Sequence, residues 1–160
     1  MLRGITLMML MTAAAGARAE RDVCGVATHY CAARIWSLLG DCARWPTYFM
    51  HVRECRAIDP EHYFVRVEIG GFRHGVTCKP EGEVGRRLRF SRVGGDMAAL
   101  EGEWLLEPLG PDRTLVTYTL AADPGWWAPG GAVRGRLRLV LVDVIRGLER
   151  WAREGAQAKR

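Results

Sequence analysis

Between Gly131 and Arg153 apolar side chains recur at Val133, Leu137, Val140, Leu141, Val144, Leu148 and Trp151. Steps of three and four put them on one stripe of a helix. Arg134, Arg138, Arg146, Arg150 and Arg153 fall mostly elsewhere, so the other side is strongly cationic. At 1.5 Å per residue such a helix is about 34 Å long, roughly the diameter of a small domain. Gly135 and Gly147 inside it each cost about 1 kcal/mol relative to alanine, so packing rather than propensity must hold it. The helix therefore needs a large apolar partner surface.

The rest of the chain reads as that surface. Cys24 to Thr28 has the texture of a short strand, and His29 to Ala33 turns into a helix with apolar positions Ile35, Leu38, Leu39 and Cys42. That helix is expected to stop near Trp45, because the residue before Pro46 is pushed out of the helical region. A second short segment, Thr47 to Met50, carries Tyr48 and Phe49. From His51 onward the chain becomes a series of candidate strands: Val52 to Ile58, Tyr63 to Ile69, Phe72 to Lys79, Arg86 to Val93, Leu100 to Glu107 and Thr114 to Ala122. Turn signals separate them at Asp59-Pro60, Gly70-Gly71, Pro80-Glu81-Gly82, Gly94-Gly95-Asp96 and Gly110-Pro111-Asp112, which argues for an antiparallel sheet.

Alternation shows which side of that sheet is covered. Val65, Val67 and Ile69 oppose Arg66 and Glu68; Leu88 and Phe90 oppose Arg87 and Arg89; Leu100, Trp104 and Leu106 oppose Glu101, Glu103 and Glu107. One apolar face is what a sheet covered by a helix on one side requires. Between the last strand and the long helix, Asp123 to Gly130 is a proline- and glycine-rich loop with adjacent Trp126 and Trp127. These tryptophans either plug one end of the core or line the mouth of a pocket.

The amino terminus changes the picture of where this domain works. Residues 1–19 combine Arg3, an apolar run from Ile5 to Ala15 and the small-x-small triplet Ala17-Arg18-Ala19. They read as a cleavable signal peptide, with a mature single domain from Glu20 to Arg160 exported to the periplasm or secreted. The formal charge of +5 falls to +3 on losing Arg3 and Arg18, too mild to predict a nucleic-acid partner. The basic helix face is at most a surface for transient membrane contact. Cys24, Cys31, Cys42, Cys55 and Cys78 are an odd set with no metal-ligand spacing. One or two disulfides fit them, with at least one thiol left over.

Two stretches then show a resemblance. Ala33-Arg34-Ile35-Trp36-Ser37-Leu38-Leu39-Gly40-Asp41 followed by Trp45-Pro46-Thr47-Tyr48-Phe49-Met50-His51-Val52 resembles the opening of START-like, polyketide cyclase and coenzyme Q-binding proteins, the SRPBCC superfamily. Met50 stands where that pattern usually has proline. Gly102 to Gly110 with Thr114-Leu115-Val116-Thr117-Tyr118 and Ala122-Asp123-Pro124-Gly125 is similar to the same proteins' final hairpin. The resemblance covers nearly all of the mature chain. It implies an α+β helix-grip fold: a seven-stranded antiparallel sheet wrapped around the long C-terminal helix, with two short helices between strands 1 and 2. It also implies a groove between sheet and helix for a hydrophobic small molecule or a polyprenyl, acyl or sterol-like lipid. By alternation its lining falls to Phe90, Trp104, Leu106, Leu137, Leu141 and Val144, with Trp126 or Trp127 at the mouth; plain core packing competes for each.

The chemistry-bearing motifs are few. There is no G-x-S-x-G, H-E-x-x-H or phosphate-binding glycine loop, and no cofactor or metal is expected. Of four histidines only His74 sits mid-strand, on the parity of Phe72 and Val76, which allows it to face inward as an acid or base; a half-exposed strand histidine is the competing reading. Tyr118, with Val116 and Leu120, can likewise present a hydroxyl to a bound carbonyl, against a tyrosine whose hydroxyl is bonded to backbone. The expectation is a monomeric, non-catalytic binder or carrier of a hydrophobic ligand. The alternative is cofactor-independent cyclisation or dehydration of a polyketide-like substrate through His74 and Tyr118.

Overall fold

The computed structural model describes residues 20–69, 71–123, 125 and 130–157. The strands are β1 (Glu20–Thr28), β2 (Val52–Ala57), β3 (Tyr63–Ile69), β4 (Phe72–Glu83), β5 (Arg87–Gly95), β6 (Ala99–Gly110) and β7 (Arg113–Asp123). The helices are α1 (Ala32–Leu39), α2 (Trp45–Tyr48) and α3 (Gly130–Gln157), with one 3₁₀ turn at Cys42–Arg44. All seven strands form one antiparallel sheet in the order β1-β7-β6-β5-β4-β3-β2. The sheet curls into a half-barrel, and α3 packs against β1, β7, α1 and α2. This is the helix-grip architecture that the resemblance implies.

The apolar stripe of α3 is the reason it sits there. Leu137, Val140, Leu141, Val144, Leu148 and Trp151 are all buried, joined by Ile145 and Ala152. At about 1.5–3 kcal/mol per fully buried large side chain, this stripe contributes far more than the glycine cost within the helix. Gly147 has its own explanation: a β-carbon there would run into the Tyr48 carbonyl. Its bare backbone lets α3 and α2 touch.

Two of the element boundaries that differ from the sequence expectation turn on a proline. The first helix ends at Leu39, and Trp45 is itself helical at φ −54°, ψ −41°, with Pro46 in the first turn of α2. Proline fits there because its missing N–H has no partner to lose. The disfavoured helical conformation before it is offset by burial of the Trp45 ring and by its indole N–H donating to the Leu38 carbonyl at 3.2 Å. The expected turn at Pro80-Glu81-Gly82 is strand instead, with Pro80 opposite Phe90 and the turn displaced to Gly85, whose φ is +75°. The β3 ladder ends at Tyr63↔Cys78, so Pro80 lies where β4 is paired on one side only and its lost donor costs nothing.

A disulfide joins Cys42, in the 3₁₀ turn, to Cys55 on β2; Cys24, Cys31 and Cys78 are free thiols. The bridge ties the start of α2 to the sheet it leans on.

Candidate functional site: the groove beneath α3

Beneath α3 lies the inner face of the sheet. Val65 on β3, Val76 and Cys78 on β4, Phe90 on β5, Leu100, Trp104 and Leu106 on β6, and Val116, Tyr118 and Leu120 on β7 are buried. Their outward neighbours Arg66, Arg87, Arg89, Glu101 and Glu107 are exposed, the alternation that the sequence shows. Gly102 breaks the row for a reason. The tip of the Phe90 ring lies against it, and a β-carbon at Gly102 would collide with that ring.

The predicted lining residues that are described, Phe90, Trp104, Leu106, Leu137, Leu141 and Val144, all lie in one buried apolar cluster. Trp126 and Trp127 lie outside the described residues. The aromatic side chains form a connected arch. Tyr63 meets Trp45 edge-on at 5.7 Å between centroids, and Trp45 lies 6.1 Å from Phe49. Phe49 stacks on Trp104 at 6.0 Å, Trp104 on Tyr118 at 4.1 Å, and Tyr118 lies 6.5 Å from Phe90. Such pairs contribute about 0.5–1.5 kcal/mol each beyond their buried area. Sequence reading missed Trp45 and Tyr63 as parts of this wall, although Trp45 and Phe49 stand four residues apart, at the start of α2 and just past its end.

Three polar contacts fasten α3 over the floor. His51, just before β2, has Nδ1 3.0 Å from the Glu68 carbonyl and Nε2 2.8 Å from Asp143 on α3. Arg138 forms an ion pair with Asp22 of β1 at 3.8 Å, and Arg150 donates to the Thr47 and Tyr48 carbonyls at 2.8 and 3.4 Å. Arg138, half-buried, and Arg150, exposed, are thus tied to other parts of the fold, and Arg146 and Arg153 are exposed as well.

His74 and Tyr118, the alternative catalytic pair, are both buried on the inner face. The register does not set them side by side. Tyr118 aligns through Trp104 and Leu88 with Gly82, eight residues along β4 from His74, and β5 and β6 intervene. Burial lowers the proton affinity of His74, partly opposed by the Asp96 carboxylate, so the ring is held neutral. Burial raises the Tyr118 and Tyr63 hydroxyls above the usual phenol range and pushes the Cys78 thiol up to about 12. These groups are neutral hydrogen-bonding surfaces at ordinary pH. Among the described residues no three His, Cys, Asp or Glu side chains are grouped to hold a metal ion. A depression of about 460 Å³ on the outer face is lined by Lys79, Glu81, Arg89, Glu101 and Glu103 among others; Lys79–Glu81 and Arg89–Glu103 pair there, and it is the chemical opposite of the groove.

A curled antiparallel sheet gripping a terminal helix over an aromatic interior defines a START-like protein. The chain belongs to the polyketide cyclase/dehydrase and lipid-transport family, whose model matches residues 28–149. It is similar in structure to a START superfamily protein from Mycobacterium smegmatis, with a TM-score of 0.73 and 22% identity over 81% of this chain and 94% of that one. The Zhui aromatase/cyclase from Streptomyces sp. R1128 superposes with a TM-score of 0.73 at 15% identity, covering 84% of this chain and 94% of that one. A protein from Thermus thermophilus does so at 0.70 and 19%, covering 88% and 99%. At these identities the likeness is one of fold. No curated protein matches the chain by sequence.

Proposed function

We propose that this chain is an exported carrier or binder of a hydrophobic small molecule or lipid, polyprenyl, acyl or sterol-like, held between the sheet and α3. The observation that carries this reading is the aromatic arch from Tyr63 to Phe90 facing the apolar stripe of α3. A surface of that kind rewards an apolar guest and offers little to a charged one. Cyclase chemistry through His74 and Tyr118 finds less support, because their register keeps them apart.

Two features agree with export. Cleavage after Ala19 keeps the described strand Glu20–Thr28, paired with β7 along its length, in the mature chain. The Cys42–Cys55 bridge suits an oxidising compartment. Transient contact with an anionic membrane through Arg146 and Arg153 remains part of the proposal. Among the described residues no helix is long and apolar enough to cross a membrane.

Protein recovered from its producing cells, extracted with organic solvent and analysed by mass spectrometry, tests the reading. We expect a mature chain starting at Glu20 in the envelope or medium and an apolar compound near one per chain. An intact Met1 terminus on exported protein removes the signal peptide, and an extract with no enriched compound removes the carrier.

A further inference from the structure

Across three neighbouring strands the register lines up Tyr63 on β3, Cys78 on β4 and Arg92 on β5. All three stand on the inner face: Cys78 is fully buried, Tyr63 is 8% exposed, and Arg92 shares the parity of Phe90. With His74 and Tyr118, this row is polar ground in a mostly apolar floor. Two of its members are incomplete. The Tyr63 hydroxyl and the Arg92 Nε are buried and have no hydrogen-bond partner.

Such atoms are rare in folded proteins, because a buried donor without an acceptor loses its water and gains nothing. Other arginines of the same sheet show the ordinary arrangement: Arg53 and Arg66 pair with glutamates, as does Arg89. Arg92 instead donates one Nη2–H to the Gly95 carbonyl at 3.0 Å, which fixes its guanidinium, while its buried Nε–H has no acceptor. Tyr63 is held by the edge-on Trp45 ring. With strands about 4.8 Å apart, the two backbones stand on the order of 10 Å from one another, and both long side chains can meet over the short Cys78.

We propose that Tyr63 and Arg92 form the polar anchor of the groove and bind the carboxylate of an amphipathic ligand whose apolar body lies along the aromatic arch. This inference rests on the carrier reading and narrows it to acids. The Arg92 Nε–H can only donate and the Tyr63 hydroxyl can donate beside it, so one acceptor serves both, and a guanidinium favours an anionic oxygen over a neutral one. The phenol stays protonated and able to donate because burial holds it so.

The test uses two matched pairs of probes at pH 7.5: dodecanoate with dodecan-1-ol, and 2-naphthoate with 2-acetylnaphthalene. Each is titrated against the mature chain by displacement of N-phenyl-1-naphthylamine and by calorimetry. We expect at least one acid to bind ten times more tightly than its neutral partner. Tyr63→Phe and Arg92→Met should each weaken that acid about tenfold and leave the neutral probe within a factor of two. Tyr63→Phe should also unfold at the same or a higher temperature, because it removes an unsatisfied buried hydroxyl; a fall of several degrees would show an internal partner and overturn the assignment. Equal binding of acid and neutral probe, or an acid preference that survives both substitutions, removes the anchor and leaves the carrier. Failure of all four probes to bind removes both.

Discussion

His74 is a titratable ring on the dry side of a sheet, 6% exposed, and it makes the folded chain a poorer proton acceptor than the unfolded one. An unfolded histidine takes up its proton near pH 6.5. With the folded value lowered by burial, the unfolded state binds more protons below that pH. Stability is therefore complete above about 6.5 and is lost as pH falls from there towards the folded value. Asp59 and Glu68 are also shifted down, Asp59 chiefly by the Glu61 backbone N–H and Glu68 by Arg53 and Arg73, but their contribution fades only below about pH 4. Urea unfolding at pH 7.5 and 5.5 should show wild type losing stability and His74→Gln losing less. Equal losses would place His74 in water. That His74 faces inward is legible from the parity it shares with Val76; the row formed by Tyr63, Cys78 and Arg92 is not. Its members stand on three strands, and their alignment depends on how β3, β4 and β5 pair, which no single strand's alternation reveals.

At the scale of elements, the contact of α3 with α2 decides how deeply the long helix seats. Gly147 is a poor helix residue that the fold requires, since any side chain there meets the Tyr48 carbonyl. Gly147→Ala should destabilise the chain by about 1–3 kcal/mol, the usual range for overpacking, despite a propensity gain of about 1 kcal/mol. Denaturant unfolding measures it, and a neutral or stabilised variant would contradict the close approach. The apolar stripe of α3 and the alternation of β3, β5 and β6 were readable because each lies within one element. The bounds of α2 and β4 were not, because Pro46 and Pro80 were weighed as breakers without their context. One sits in a first helical turn and the other on a strand segment paired on one side, the two places where a missing N–H is harmless. The Cys42–Cys55 bridge adds to this end of the molecule by closing a short loop, worth about 3 kcal/mol against the unfolded chain. Which cysteines pair was closed to sequence reading because it depends on where α2 lies against β2.

For the molecule as a whole, the fold was legible because the motifs around Trp45-Pro46 and Gly102 to Gly110 carry it, and the family match over residues 28–149 covers both. The ligand is a matter of interior shape and of a few polar atoms, which depend on packing between distant parts of the chain. The central claim is that α3 lies across the concave sheet above an apolar site. Titration with N-phenyl-1-naphthylamine, read by energy transfer from tryptophan, tests it most directly, since Trp104 and Trp45 belong to the arch beneath the helix. The account predicts saturable binding at one site per chain, lost on unfolding and weakened at least fivefold by Trp104→Ala in a variant that keeps its folded far-ultraviolet spectrum. Binding that never saturates, or that is indifferent to Trp104, would contradict it.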